Sequence, residues 1–111
     1  MTPNSALALL LAELDADTVR ELIAQYLGDT PAQIAVLREA AGQGDLQTLG
    51  RTAHSIAGSS ATFGLEELRA ICLALEEAAL AGATAQIATG IEAVATAYAA
   101  AIPVLKQFSG Q

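Results

Sequence analysis

The stretch "LQTLGRTAHSIAGSSATFG", residues 46–64, indicates most directly how this chain folds. Its apolar and small residues recur at intervals of three and four, which is the spacing of one face of an α-helix. Asp45 precedes the stretch as a helix N-cap, and Gly64 is typical of a helix end. The stretch therefore predicts a helix whose buried face is formed by Leu46, Leu49, Ala53, Ile56, Ser60 and Phe63.

A longer helix is predicted before this stretch. Thr18 followed by Glu21 matches a capping box, and Asp15 or Asp17 is an alternative cap. Pro31 has no backbone N–H and is expected to bend the helix before it ends at "GQGD", residues 42–45. The apolar residues on one face of this helix are Val19, Leu22, Ile23, Tyr26, Leu27, Ile34 and Leu37.

Three further helices follow from the same periodicity. A short one runs roughly over Asn4–Leu14. Another runs over Leu65–Ala81 and is closed by Gly82, and the last begins near Thr84, with Pro103 expected to bend its final turns. Their inward residues are predicted to be Leu65, Leu68, Cys72, Leu75 and Ala79 in the fourth helix, and Ile87, Ile91, Val94, Tyr98, Ala101 and Leu105 in the fifth.

The composition agrees with an all-α fold. The chain has 111 residues, enough for one domain, and its 53% hydrophobic residues are mostly Ala and Leu, both strong helix formers. Helices joined by short turns pack as antiparallel neighbours. We therefore expect residues 1–111 to form a single domain, an antiparallel up-down four-helix bundle with a short extra N-terminal helix.

The charge excludes several classes of function. The formal net charge is −7 and the five basic residues are scattered singly, so nucleic-acid binding and contact with an anionic membrane are not expected. Charged residues interrupt the apolar stretches before a membrane-spanning length of about 20 residues, and the N-terminus has no basic segment of a signal peptide. A lone Cys72 is expected to be a buried core residue in a cytoplasmic protein.

The only histidine of the chain, His54, lies one residue past the buried face of its helix, about 100° around the axis. Its neighbours one and two turns away are Gly50, Ala57, Gly58 and Ala61. Each glycine costs an exposed helix about 0.5–1 kcal/mol relative to alanine. A solvent-exposed histidine without a role is the simplest interpretation, but the small neighbours favour a surface that another protein's backbone can approach closely.

Few histidine chemistries fit this pattern. A zinc site would need more ligands than one imidazole with carboxylates. A catalytic triad would need a nucleophile within reach, whereas Ser55, Ser59 and Ser60 lie on the same helix and are better placed to bond backbone carbonyls. The remaining interpretation is a histidine that acts as a nucleophile towards a group on a partner protein.

The stretch "AHSIAGSSATFGLEELRAICLALE", residues 53–76, resembles the signature of histidine-containing phosphotransfer (HPt) domains. That signature has a histidine, a Gly-Ser-(Ser/Ala) step, a second glycine, and then Leu, Cys and Leu-Glu at helical spacing. The matching residues here are His54, Gly58, Ser59, Ser60, Gly64, Leu68, Cys72, Leu75 and Glu76.

The resemblance implies an antiparallel four-helix bundle with the histidine exposed midway along one helix. It implies that His54 accepts a phosphoryl group from an aspartate of a response-regulator receiver domain and passes it to another receiver. It further implies that Glu76 orients the imidazole and that Gly58 lets the receiver's loops approach. No autokinase activity and no cofactor of its own are expected, since Mg²⁺ in such a transfer belongs to the receiver.

One position departs from the family pattern. Many members carry a lysine three residues after the histidine, where this chain has Ala57. Arg51, one turn before His54, is a candidate substitute that would stabilise the charge of the phosphoryl group.

The expected partners are receiver domains, including those of hybrid sensor histidine kinases, bound by a monomer of this chain. Two alternatives remain: a receiver-binding adaptor or inhibitory module that transfers no phosphoryl group, and an unrelated helical dimerisation domain. The residues expected to line the docking surface are Ile23, Leu27, Gly50, Ala57, Gly58 and Ala61.

Overall fold

A computed structural model of the chain describes residues 5–108, which are all-α, with no strand in that range. The predicted start of the first helix at Asn4 lies outside the described residues. The helices are α1 (Ser5–Glu13), α2 (Ala16–Gln43), α3 (Leu46–Thr62), α4 (Glu66–Ala81) and α5 (Thr84–Phe108).

The four long helices form the bundle predicted from their short connections. The pairs α2 and α3, α3 and α4, α4 and α5, and α5 and α2 all pack together, which closes a ring of antiparallel neighbours. The short α1 lies against α2, and its Leu7 is buried. The site histidine therefore lies on a helix that is held on both sides, by α2 and by α4.

The helix ends follow ordinary capping chemistry, with one correction. The Asp15 carboxylate, not Thr18, caps α2, since it accepts a hydrogen bond from the Thr18 backbone N–H at 2.7 Å. The capping-box prediction is therefore wrong, and its alternative, Asp15, is the cap. Asp45 caps α3 as predicted, accepting from the Thr48 N–H at 3.1 Å. Hydrogen bonds from Thr18 and Thr48 lower the pKa of the two aspartates.

Pro31 lies inside α2 without ending it. A proline has no N–H to donate to the carbonyl four residues earlier, which here is that of Leu27. The Tyr98 hydroxyl of α5 donates to this carbonyl at 3.2 Å, so the acceptor is satisfied by a neighbouring helix. The Thr30 hydroxyl donates to the Tyr26 carbonyl at 2.7 Å. Contacts from the side chains therefore accommodate the proline, and α2 continues to Gln43.

The core agrees closely with the predicted helix faces. All six residues predicted to face inward in α5 are buried. In α4, Leu65 is only half-buried because it precedes the first turn, and in α3 the same holds for Leu46 at its first residue. Cys72 is a free, fully buried thiol, and desolvation raises its pKa to about 11. It is thus the core residue that the sequence predicts.

A buried polar contact joins α2 to α3. The hydroxyl groups of Tyr26 and Ser60 lie 2.7 Å apart, and the Tyr26 ring packs against Phe63 and Tyr98 with centroids 5.2 and 6.0 Å away. Burial raises the pKa of the Tyr26 hydroxyl. Because a buried hydroxyl without a partner is costly, this pair favours one relative position of the two helices.

By length and composition, α5 could cross a membrane. Glu92 and Lys106 interrupt α5, so its uncharged stretches stay shorter than about 20 residues, as expected from the sequence. A single helix of this kind is weak evidence for a membrane span, because core helices of bundles have the same composition. The inward face of α5 is already packed, and its Glu92 pairs with Arg38 of α2. We therefore interpret α5 as a core helix.

Candidate functional site

The imidazole of His54 is exposed midway along α3. Its side chain is 69% accessible, although the residues that follow it by two and three positions, Ile56 and Ala57, are buried. The exposure follows from the position of His54 beside the buried face of the helix. A nucleophile placed there can be reached by another protein but not by the core of this one.

Glu76 of α4 contacts the inner ring nitrogen. Its Oε1 lies 3.1 Å from His54 Nδ1, and its side chain is 29% exposed. An ionised carboxylate only accepts hydrogen bonds, so this contact places the proton of a neutral imidazole on Nδ1. The lone pair is then on Nε2, the ring nitrogen available to an incoming group. The structure thus contains the contact that the predicted orienting role of Glu76 requires.

Small residues bring α3 and α4 close enough for this contact. A Cβ atom added to Gly50 would lie 3.6 Å from that of Ala79, so the two backbones approach closely one turn before His54. Ala53 and Ala57 of the same helix are also buried. Gly50 and Ala57 are therefore buried by helix packing and offer little surface to a partner, so the structure does not support their place in the predicted docking surface.

Gly58, unlike Gly50, is not packed against a neighbouring helix. It is exposed, and an added Cβ would have no atom within 4 Å, so no contact inside the protein requires a glycine here. Helix packing therefore does not explain this residue. Ala61, one turn further, is half-buried. Of the residues predicted for the docking surface, Gly58 and Ala61 lie beside His54 and are at least partly exposed.

The two residues predicted from α2 do not lie beside His54. Ile23 is 1% exposed and belongs to the core. Leu27 is half-buried and shares a helix face with Arg38, eleven residues later, which pairs with Glu92 of α5. Leu27 therefore lies on the side of α2 that faces α5, and the structure does not support the place of either residue in the predicted docking surface.

The arginines of the described residues differ in whether they form an ion pair. Arg20, Arg38 and Arg69 pair with Asp17, Glu92 and Glu66 respectively. Arg51 is exposed and forms no ion pair within residues 5–108, and its charge adds to the Thr48 hydrogen bonds in lowering the pKa of Asp45. Arg51 therefore remains available to an anionic group that approaches α3.

A surface groove of about 260 Å³ between α2 and α3 was not predicted. Gln33 spans it by donating to the Ser55 hydroxyl at 3.1 Å, next to His54 in the sequence. The signal available in the sequence was the four-residue spacing of Gln25, Asp29 and Gln33 along α2. The remaining lining residues are Leu22, Tyr26, Thr30, Ser59, Thr62 and Phe63.

Comparisons with known proteins agree with this geometry. Residues 21–103 match the Hpt domain family. The fold is similar to the crystal structure of histidine-containing phosphotransfer protein B (HptB) from Pseudomonas aeruginosa PAO1, with a TM-score of 0.89 and 30% sequence identity over 96% of this chain and 92% of that one. No curated protein sequence matches. Both similarities support a histidine phosphotransfer role, and the chain is a member of the Hpt domain family.

Proposed function

We propose that this chain is a phosphorelay intermediate that takes a phosphoryl group from one receiver-domain aspartate onto His54 and delivers it to another. The observation that carries the proposal is an exposed imidazole whose Nδ1 is held by Glu76 at 3.1 Å beside an unobstructed Gly58. We further propose that the chain acts as a monomer in the cytoplasm and that a hybrid sensor kinase supplies the donor receiver.

The transfer step follows from the position of the two ring nitrogens. The Nε2 lone pair attacks the phosphorus of an aspartyl phosphate, the N–P bond forms, and the bond from phosphorus to the aspartate oxygen breaks to release a carboxylate. Positive charge then develops on the ring, and the Glu76 carboxylate stabilises it through Nδ1–H. Delivery to the second receiver is the reverse reaction. Mg²⁺ bound by the receiver would neutralise the phosphoryl oxygens.

The direct test is phosphoryl transfer from a panel of receiver domains phosphorylated on aspartate. The expected result is a label on this chain that is acid-labile and base-stable, as a phosphohistidine is. Binding of a receiver without any label would instead support the adaptor or inhibitor function. Absence of both label and binding across the panel would contradict the proposal.

Replacement of Glu76 tests the orienting role. Glu76→Ala is expected to slow transfer by about 10- to 100-fold, the value of a hydrogen bond to a charged group, because the Nδ1 proton loses its acceptor. Glu76→Gln retains an acceptor oxygen and should recover most of the rate. Imidazole nitrogen NMR shifts should show the Nδ1–H tautomer in the wild type and a tautomer mixture in Glu76→Ala. Equal rates in all three proteins would contradict the role.

Replacement of Arg51 tests the substitute for the missing lysine. An exposed cation contributes about 0.2–1 kcal/mol to such a contact, so Arg51→Ala is expected to slow transfer only about two- to fivefold. Arg20→Ala is the matched control, since Arg20 pairs with Asp17 at the start of α2. A wild-type rate for Arg51→Ala would show that the receiver's own cations stabilise the phosphoryl group without help from this chain.

A further inference from the structure

The side chain of Leu80 is 84% exposed, although the two residues before it, Ala78 and Ala79, are buried. It is more exposed than the other large apolar side chains found at the surface among the described residues, which are Leu9, Leu14 and Val36. A single exposed leucine is ordinary and by itself identifies no site. Leu80 is of interest because of its position relative to the His54 imidazole.

The register of α3 against α4 places Leu80 beside the His54 site. Glu76 contacts His54, and Ala79 packs against Gly50, one turn earlier in α3. The helices therefore run antiparallel, with the turn from Glu76 to Leu80 alongside the turn from His54 to Gly50. Residues four apart on a helix share a face, so Leu80 follows Glu76 along the side of α4 next to α3.

Leu73, three residues before Glu76, is half-buried on the same side of α4. Leu73, Glu76 and Leu80 together form what we call the α4 edge. In it, two leucines bracket the carboxylate that holds the imidazole. On α3, the small residues beside His54 are Gly58 and the half-buried Ala61, which leave room for a partner but offer little apolar side chain.

A protein that receives a phosphoryl group from His54 must touch the imidazole directly. A stable interface buries about 800 Å² on each partner, which corresponds to a patch of about 16 Å radius. The Cβ atoms of residues four apart on a helix are only about 5–6 Å apart, so Leu80 lies well inside a patch centred on the His54–Glu76 pair. A docking patch centred on the His54–Glu76 pair would therefore cover the exposed leucine.

We propose that the α4 edge is part of the receiver-docking surface and that Leu80 is its apolar anchor. The partner that fits is a receiver domain with an apolar side chain within about one helical turn of its phosphoryl-bearing carboxylate. This inference rests on the proposed function. It adds that the receiver contacts α4 as well as α3. Gly58 allows the receiver to approach His54 closely, and Leu80 contributes the apolar side chain that the receiver would bury.

The test compares Leu80→Gln with Ala74→Gln, which changes an exposed residue of the same helix that is two residues before Glu76 and therefore on another face. For a receiver that binds the wild type, Leu80→Gln is expected to raise the Kd about tenfold and to slow transfer at low receiver concentration to the same extent. Saturating receiver should restore the transfer rate. Ala74→Gln should leave both quantities unchanged.

Phosphoramidate separates docking from chemistry, because this small donor phosphorylates imidazole with release of ammonia and needs no docking surface. Equal phosphoramidate labelling of Leu80→Gln and wild type, with weaker receiver binding, supports the anchor. An unchanged Kd for Leu80→Gln overturns it and leaves the proposed function standing. A wild type that binds a receiver without taking label overturns the proposed function while the Kd comparison still tests Leu80. Absence of all receiver binding overturns both.

Discussion

A chain carrying His54→Gln is expected to take no phosphoryl group from any receiver domain. Glutamine has no nucleophilic ring nitrogen, so the loss should exceed a thousandfold and be complete within detection. The fold should persist, since the imidazole is 69% exposed and its side-chain contact is with the half-buried Glu76. A surface substitution of this kind changes the free energy of unfolding by no more than about 0.5 kcal/mol.

The measurement is the label on wild type and variant after mixing with a phosphorylated receiver, together with thermal unfolding of both proteins. Receiver binding should survive in His54→Gln, which shows that the loss is chemical. An acid-labile label of undiminished intensity on the variant would place the acceptor elsewhere and contradict the assignment. A variant that is unfolded would show that His54 supports the bundle, which its exposure argues against.

Replacement of Gly58 with glutamine is expected to have the second largest effect. It should slow phosphoryl transfer from a receiver while it raises the stability of the protein. No atom lies within 4 Å of an added Cβ, so the side chain projects into solvent without a clash. Removal of a glycine from the interior of α3 should stabilise the protein by about 0.5–1 kcal/mol. The same side chain would separate the receiver from His54, and a misplacement of about 1 Å between reacting groups costs about a hundredfold in rate.

Gly28→Gln is the matched control. Gly28 is an exposed glycine inside α2 whose added Cβ also meets nothing within 4 Å. It should show the same gain in thermal stability with transfer unchanged. Phosphoramidate labelling of Gly58→Gln should remain near that of the wild type, because a small donor does not need the cleared surface. Normal transfer from a receiver to Gly58→Gln would mean that receivers do not approach across this part of α3.

Much of the fold is predictable from local spacing. The inward residues of α5, from Ile87 to Leu105, are those that periodicity identifies, and Asp45 caps α3 as its position before the helix indicates. The outward position of His54 follows from its place one residue past Ala53. The start of α2 was assigned less well, because Thr18 and Asp15 both match cap preferences and local sequence does not rank them.

The sequence by itself determined the helices, their buried faces and the exposed histidine, because a helix turns by a fixed angle per residue. The tertiary structure decided which residues outside the core-facing side of a helix are buried by a neighbouring helix and which remain exposed. Gly50 and Gly58 lie one turn either side of His54, yet Ala79 of α4 packs against the first and nothing covers the second. Helical periodicity orients a side chain on its own helix and carries no information about the neighbouring helix. Packing against neighbouring helices therefore leaves little exposed surface at four of the docking residues predicted from helix faces, which are Ile23, Leu27, Gly50 and Ala57.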